Sequence, residues 1–189
     1  MVSLIVGLGN PGDEYKKTRH NAGFLLLDAL ADRYNVGFTY EAKFNADIAK
    51  CLISGKVVRL IKPQTFMNKS GLSVSTCANY FDVSVDEILT VHDELDLNPG
   101  VVRLKKGGGH GGHNGLRDII AHLSSKDFYR MRIGIGHPGD RNKVVNFVLK
   151  APSKDESALL EEAIERIIEK IPDICDGKFQ YVMQSLHVD

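Results

Sequence analysis

Met1-Val2-Ser3-Leu4-Ile5-Val6-Gly7-Leu8-Gly9-Asn10-Pro11-Gly12 opens the chain, and the reading of this stretch decides the fold. Residues 2–8 are apolar and β-branched, the composition of a buried strand. Gly7, Gly9 and Gly12 satisfy G-x-G-x-x-G after that strand, which raises a dinucleotide-binding fold. The residues that follow argue against it. In such a fold the helix begins within the glycine motif, so that its amides reach a pyrophosphate. Here Pro11-Gly12 reads as a turn, and helical spacing begins only near Asn21. The acids at about the right offset, Asp28 and Asp32, fall inside a helix rather than at the end of a second strand. The glycines are read instead as a tight turn that sets Asn10 beside a ligand. The stretch has no basic leader and no cleavage site, so a strand is expected rather than a signal peptide.

Working outward, apolar β-branched runs predict strands at 2–8, 46–53, 57–62, 88–92, 101–105 and 131–136. Helical spacing predicts helices at 22–34, 69–81, 115–123, 143–149, 155–170 and 178–186. Leu27, Leu30, Ala31 and Tyr34 form the core side of the first helix. Leu159, Ala163, Ile164, Ile167 and Ile171 form an apolar stripe opposite Glu161, Glu162, Glu165 and Glu169. Asn21 is the expected N-cap of the first helix. Alternating strands and helices predict an α/β fold with helices on both faces of a twisted sheet. The close strands near 46–62 predict a hairpin, so the sheet is expected to be mixed but mostly parallel. No linker or repeat divides the chain, and 1–189 is read as one domain.

The 189 residues suffice for one sizeable core, and 43% hydrophobic with 25% charged residues is ordinary globular composition. No apolar run approaches the ~18 residues of a membrane span. Cys51, Cys77 and Cys175 are odd in number, widely spaced and free of any C-x-x-C, which fits core residues in a reduced, cytoplasmic protein. The net charge is zero but unevenly spread. Residues 99–150 carry ten Lys/Arg against three acids, while residues 151–176 carry three basic against eight acidic residues. A neutral total can therefore hide a basic face for phosphates, or simply a solvated surface with segregated charge.

Candidate functional residues fall in four loops at the expected sheet edge, 9–21, 63–70, 92–100 and 106–115. His20 lies just before the first helix, where an imidazole of near-neutral pKa can take a proton from water. Phe66 and Met67 either stand out beside Asn68 as contacts for a base, ribose or peptide, or tuck into the core. Asp93 ends an apolar strand; paired with His20 it would fix the imidazole tautomer, with Glu94 and Asp96 as competitors. Gly107-Gly108-Gly109-His110-Gly111-Gly112-His113-Asn114-Gly115 is a loop able to wrap a ligand, and its amides favour anions or carbonyl oxygens. Asn114 reads either as a ligand contact or as the N-cap of the next helix.

Two other chemistries are weaker. His20, His92, His110, His113, Asp93 and Glu94 could supply a zinc site, but no H-E-x-x-H or C-x-x-C is present and the glycine-rich loop offers poor preorganisation. No G-x-S-x-G elbow marks a serine hydrolase. Direct attack by water is the favoured route, with no metal and no cofactor. A non-catalytic RNA-binding module on the same fold is the alternative class.

Taken together, Gly7 through Gly12, Tyr15, Thr18 through Gly23, Phe66 through Gly71, His92 through Asp96, Gly107 through Gly115 and Arg132 through Gly139 closely resemble the bacterial peptidyl-tRNA hydrolase family. The resemblance runs in order through about the first 150 residues. It implies an enzyme that cuts the ester between a peptide and the 3′-terminal ribose of tRNA, recycling tRNA for translation. It implies His20 as general base and Asp93 as its orienting partner. It implies substrate contacts at Asn10, Tyr15, Phe66, Met67, Asn68, His113 and Asn114, and tRNA phosphate contacts at Lys105 and Arg132. Peptidyl-tRNA is the implied partner, with no membrane, and a cytoplasmic monomer is expected.

Overall fold

In the computed structural model, residues 1–187 are described. Within them the strands are β1 (Leu4–Gly7), β2 (Thr39–Glu41), β3 (Ala46–Ile53), β4 (Lys56–Pro63), β5 (Ile88–Glu94), β6 (Val102–Lys106) and β7 (Tyr129–Gly134). The helices are α1 (Ala22–Arg33), α2 (Ser70–Tyr80), α3 (Asn114–Leu123), α4 (Val144–Val148), α5 (Lys154–Cys175) and α6 (Phe179–Leu186). The strands form one sheet in the order β2-β3-β4-β1-β5-β7-β6. β4, β1, β5 and β7 are parallel neighbours, and only β3 and β6 run against the other five. The sheet is thus mixed and mostly parallel, as the strand spacing predicts.

Alternation along the strands sorts side chains to two cores. Ile5, Leu60, Leu89, Val91, Met131 and Ile133 face α1, α5 and α6, while Leu4, Val6, Ile61 and Ile88 face α2 and α3. The three cysteines are unpaired and buried. Burial pushes the thiols of Cys77 and Cys175 up to about 11 and about 12, so they serve as packing groups.

Three local expectations need correction. The short strand β2 is not predicted, because Thr39-Tyr40-Glu41 is too brief and too exposed to show alternation. The α5 stripe uses Leu160 where the spacing predicts Leu159, which is 40% exposed. The spacing also ends that helix at 170, yet α5 runs through Pro172 to Cys175. Burial of Ile171, Ile174 and Cys175 outweighs the hydrogen bond that proline cannot donate.

Two close approaches position the functional edge. A Cβ on Gly23 would collide with the Val91 carbonyl oxygen and the Leu8 backbone, so α1 can lie directly across the ends of β1 and β5. A Cβ on Gly71 would meet the Asp118 carbonyl, and its absence lets α2 cross α3 closely. Both contacts bring helix starts, with the residues just before them, to the carboxyl ends of the parallel strands.

Candidate active site

Asn10 follows β1 and is 7% exposed. Its amide donates to Asn21 Oδ1 at 2.9 Å, and Asn21 Nδ2 donates to the Asn10 carbonyl at 2.9 Å. Asn21 occupies the N-cap position of α1, as expected, but makes no side-chain cap there, because its polar atoms are turned to Asn10. Asn10 Oδ1 accepts the Met67 amide at 2.8 Å. With that oxygen committed, Asn10 keeps its Nδ2, a donor, for the cleft.

His20 sits in the single 3-10 turn Arg19–Asn21 that leads into α1. Its Nδ1 lies 2.8 Å from Asp93 Oδ2. Asp93 belongs to β5, which extends past the predicted strand end to Glu94, and it is 3% exposed. An ionised carboxylate only accepts, so His20 Nδ1 carries the proton and Nε2 keeps its lone pair. Burial pulls the His20 pKa down, while the charge and hydrogen bond of Asp93 push it up; the net direction is up. For Asp93, burial pushes up, but the two imidazoles it contacts hold it well below the usual carboxylate range.

His113 takes the other oxygen, with Nε2 2.8 Å from Asp93 Oδ1. Its Nδ1 receives the amides of Gly115 and Leu116 at 3.2 and 3.4 Å. Amides only donate, so the ring proton sits on Nε2 and goes to Asp93. His113 is thus the N-cap of α3, and Asn114 is its first residue. The capping alternative for Asn114 is corrected accordingly. Asn114 Oδ1 accepts Arg117 Nη1 at 3.1 Å, which leaves Nδ2 for the cleft it lines. Spacing alone does not reveal His113 as the second partner of Asp93. The signal available was a histidine at the very start of a helix, where a ring nitrogen can accept backbone amides. His92 packs edge-on against His113, with ring centroids 5.1 Å apart. Burial first, and then the neighbouring His113, pull its pKa down to about 3, so it stays neutral.

Asn10, His20, His92, Asp93, His113 and Asn114 line a cavity of about 280 Å³ with Phe66, Met67, Asn68, the α4 residues Val144, Val145 and Val148, and Leu149 just after them. The two readings of Phe66 and Met67 divide between them. Phe66 is 58% exposed at the rim, and Met67 is buried in the α2–α3 core with a face on the cavity. Tyr15 does not line the cavity; its ring meets Phe66 edge-on at 6.4 Å. The α4 wall is not foreseen from sequence, since the exposure of Val145 and its place on the cavity are seen only in the fold. Buried Arg19 ties this wall to the His20 turn. Its guanidinium stacks on Phe147 at 3.9 Å and donates to the Phe147 carbonyl at 3.0 Å and to Glu156 at 3.3 Å.

His20, Asp93 and His113 offer ligand-type atoms within 4.8 Å of one another. Each imidazole nitrogen facing the carboxylate carries a proton in this arrangement, so neither has a lone pair there for an ion. The arrangement suits proton transfer.

Lys105 and Arg132 lie on β6 and β7, outside the cavity. Across those strands Lys105 pairs in register with Arg130, and Arg103 with Arg132. Like charges placed opposite one another are unfavourable, and Glu94 offsets one of them through its ion pair with Arg132. Partial burial, then Arg132 and Arg130, lower the Lys105 pKa. Arg132 Nε donates to Glu94 at 2.9 Å, and Glu94 also lines the cavity, so the basic flank adjoins it. Arg130 instead holds the glycine loop, donating to the carbonyls of Gly108, Gly109 and Lys126.

Residues 4–189 match the family model for peptidyl-tRNA hydrolase. The chain is similar to the peptidyl-tRNA hydrolase of Nitrosomonas europaea, at 52% identity over 98% of this chain and 95% of that protein. It is 47% identical to that of Neisseria gonorrhoeae over 98% of this chain and 97% of that one. The crystal structure of peptidyl-tRNA hydrolase from Acinetobacter baumannii superposes with a TM-score of 0.97 at 46% identity, covering 99% and 95% of the two chains.

Proposed function

This chain belongs to the peptidyl-tRNA hydrolase family and hydrolyses peptidyl-tRNA to tRNA and peptide, and we propose that His20 is the general base for the attacking water. His20 Nε2 takes a proton as the water oxygen bonds to the ester carbonyl carbon. Asp93 stabilises the imidazolium that results. The side-chain donors of Asn68 and Asn114 face the developing oxyanion. As the tetrahedral intermediate collapses, the 3′-ribose oxygen leaves and takes the proton back from His20. An ester needs no stronger activation than a positioned water and a base of near-neutral pKa.

The observation that carries this reading is the 2.8 Å contact of His20 with Asp93 inside the cleft. Cleavage of a labelled peptidyl-tRNA tests it, run with the parent and His20→Ala and repeated in EDTA. Equal turnover by both proteins would dismiss His20 as base, and loss of the parent's activity in EDTA would bring a metal into the step.

In the same reading Asn10 contacts the substrate near the ester and favours N-blocked over free aminoacyl groups, with Nδ2 as the group it presents. Phe66, Met67 and Asn68 border the substrate, and Tyr15 supports Phe66 from behind. Lys105 and Arg132 hold tRNA phosphate. The protein works as a cytoplasmic monomer whose catalytic domain spans 1–189. A cleft assembled within one chain supports the monomer, and light scattering in solution tests it. Three unpaired buried cysteines fit a reducing compartment. Among the described residues no helix is long and apolar enough to cross a membrane.

A further inference from the structure

Asp93 and Glu94 are consecutive on β5, and a strand turns consecutive side chains to opposite faces. Asp93 goes to His20, and Glu94, its competitor in sequence, goes to Arg132 instead. A part-buried carboxylate thus lines the cleft without a share in the proton transfer. The sheet face it joins is otherwise basic. Register sets Arg103 beside Arg132 and Lys105 beside Arg130 across β6 and β7, so four cations share one patch. Arg130 is spent on the carbonyls of the glycine loop. Lys105 reaches the same loop, where a Cβ on Gly108 would meet its Nζ. Burial, and then the Arg132 guanidinium, lower the pKa of both Lys105 and Arg130, and Glu94 is the acid that opposes this.

The carboxylate is held in place from both sides. Glu94 Oε1 accepts Arg132 Nε at 2.9 Å, with the two side chains only 20% and 22% exposed. Solvent and salt screen such a pair less than one on open surface. Oε2 accepts the Asp96 amide at 3.3 Å, which keeps the carboxylate where it is when Arg132 turns away. A phosphate that takes Arg132 breaks the ion pair and leaves one anion beside another. Both effects subtract from RNA affinity. Affinity common to substrate and product does nothing for the chemical step, and it slows the release of tRNA. We propose that Glu94 is an affinity-limiting residue, whose carboxylate competes with RNA phosphate for the cations of β6 and β7 and so hastens the departure of the tRNA product. This inference rests on the placement of phosphate at Lys105 and Arg132 in the proposed function.

The test measures Kd for deacylated tRNA, the product, at low and high ionic strength, with the parent, Glu94→Gln, Glu94→Ala, Lys105→Ala and Arg132→Ala. Glutamine keeps an oxygen for Arg132 Nε and the Asp96 amide and loses only the charge. Glu94→Gln is expected to bind tRNA about tenfold more tightly at low salt. Its KM for peptidyl-tRNA should fall alongside, and the advantage should shrink as salt rises. Glu94→Ala should gain a similar factor, and a melting curve for each variant verifies folding. A carboxylate that merely braced Arg132 would give weaker binding on removal and no such salt signature. Binding by Glu94→Gln equal to the parent's, or weaker, would overturn the inference. If Lys105→Ala and Arg132→Ala both bind tRNA as the parent does, the phosphate placement itself has failed, and the role of Glu94 with it.

Discussion

Asp93 Oδ1 and His113 Nε2 meet at 2.8 Å, so one carboxylate holds two imidazoles, one per oxygen. The second imidazole is also the N-cap of α3. His113→Ala removes both roles, and it is expected to lower kcat about 10–100-fold and stability by ~1 kcal/mol. His113→Asn restores an acceptor for the helix amides but is too short to reach Asp93. It should recover the melting temperature without recovering kcat; joint recovery would show that only the cap matters.

His20→Ala should reduce kcat by roughly 10²–10⁴-fold while KM changes little. Single-turnover cleavage at saturating enzyme isolates the chemical step. A loss confined to KM would move His20 from catalysis to binding.

The pH–rate profile carries a signed prediction. His20 acts when neutral, and its pKa is raised, so kcat/KM should climb with pH through an apparent pKa above the ordinary ~6.5. Asp93→Asn removes the group that raises it and leaves burial, which lowers it. The limb should move to lower pH while the plateau falls. In stability terms, the raised His20 pKa stabilises the fold at low pH, and that contribution fades as pH rises through the folded value. The depressed Asp93 pKa contributes at pH above its unfolded value and is lost on acidification through the folded one. A limb that stays in place in Asp93→Asn would break the assignment.

Lys105→Ala and Arg132→Ala should both raise KM, and each should reduce the slope of log KM against log salt by about one. Arg132 must first leave Glu94, so Lys105→Ala is expected to have the larger effect. A slope unchanged in both variants would place the phosphates elsewhere.

Asn10→Asp retains the oxygen that accepts the Met67 amide but replaces the Nδ2 donor. It should fold normally and lose most of its preference for N-blocked over unblocked aminoacyl-tRNA. Selectivity equal to the parent's would show that discrimination lies at another residue.

Much of this was legible in the chain itself, and the exceptions have physical causes. Periodicity finds β3 and the α2 and α3 helices because their apolar faces repeat over several turns or strand pairs. It misses β2, a three-residue edge strand with little burial. The meeting of His20 with Asp93 is implied by resemblance to a family, since no spacing rule links residues 73 positions apart. Hydrogen bonds made by asparagine and histidine are the least readable part. Asn21, Asn114 and His113 all stand at helix starts, and residue type alone does not say which one caps. Only the positions of Asn10, Arg117 and Asp93 settle where each polar atom goes.

Arg19 leaves the cleft with a mechanical constraint. The residue bonded in sequence to His20 grips α4 through Phe147 and the start of α5 through Glu156. Widening the gap to let a bulky product depart must either peel that aromatic ring off the guanidinium or drag the histidine's turn along with it. Movement of α4 and the placement of the His20 imidazole are therefore geared to one joint.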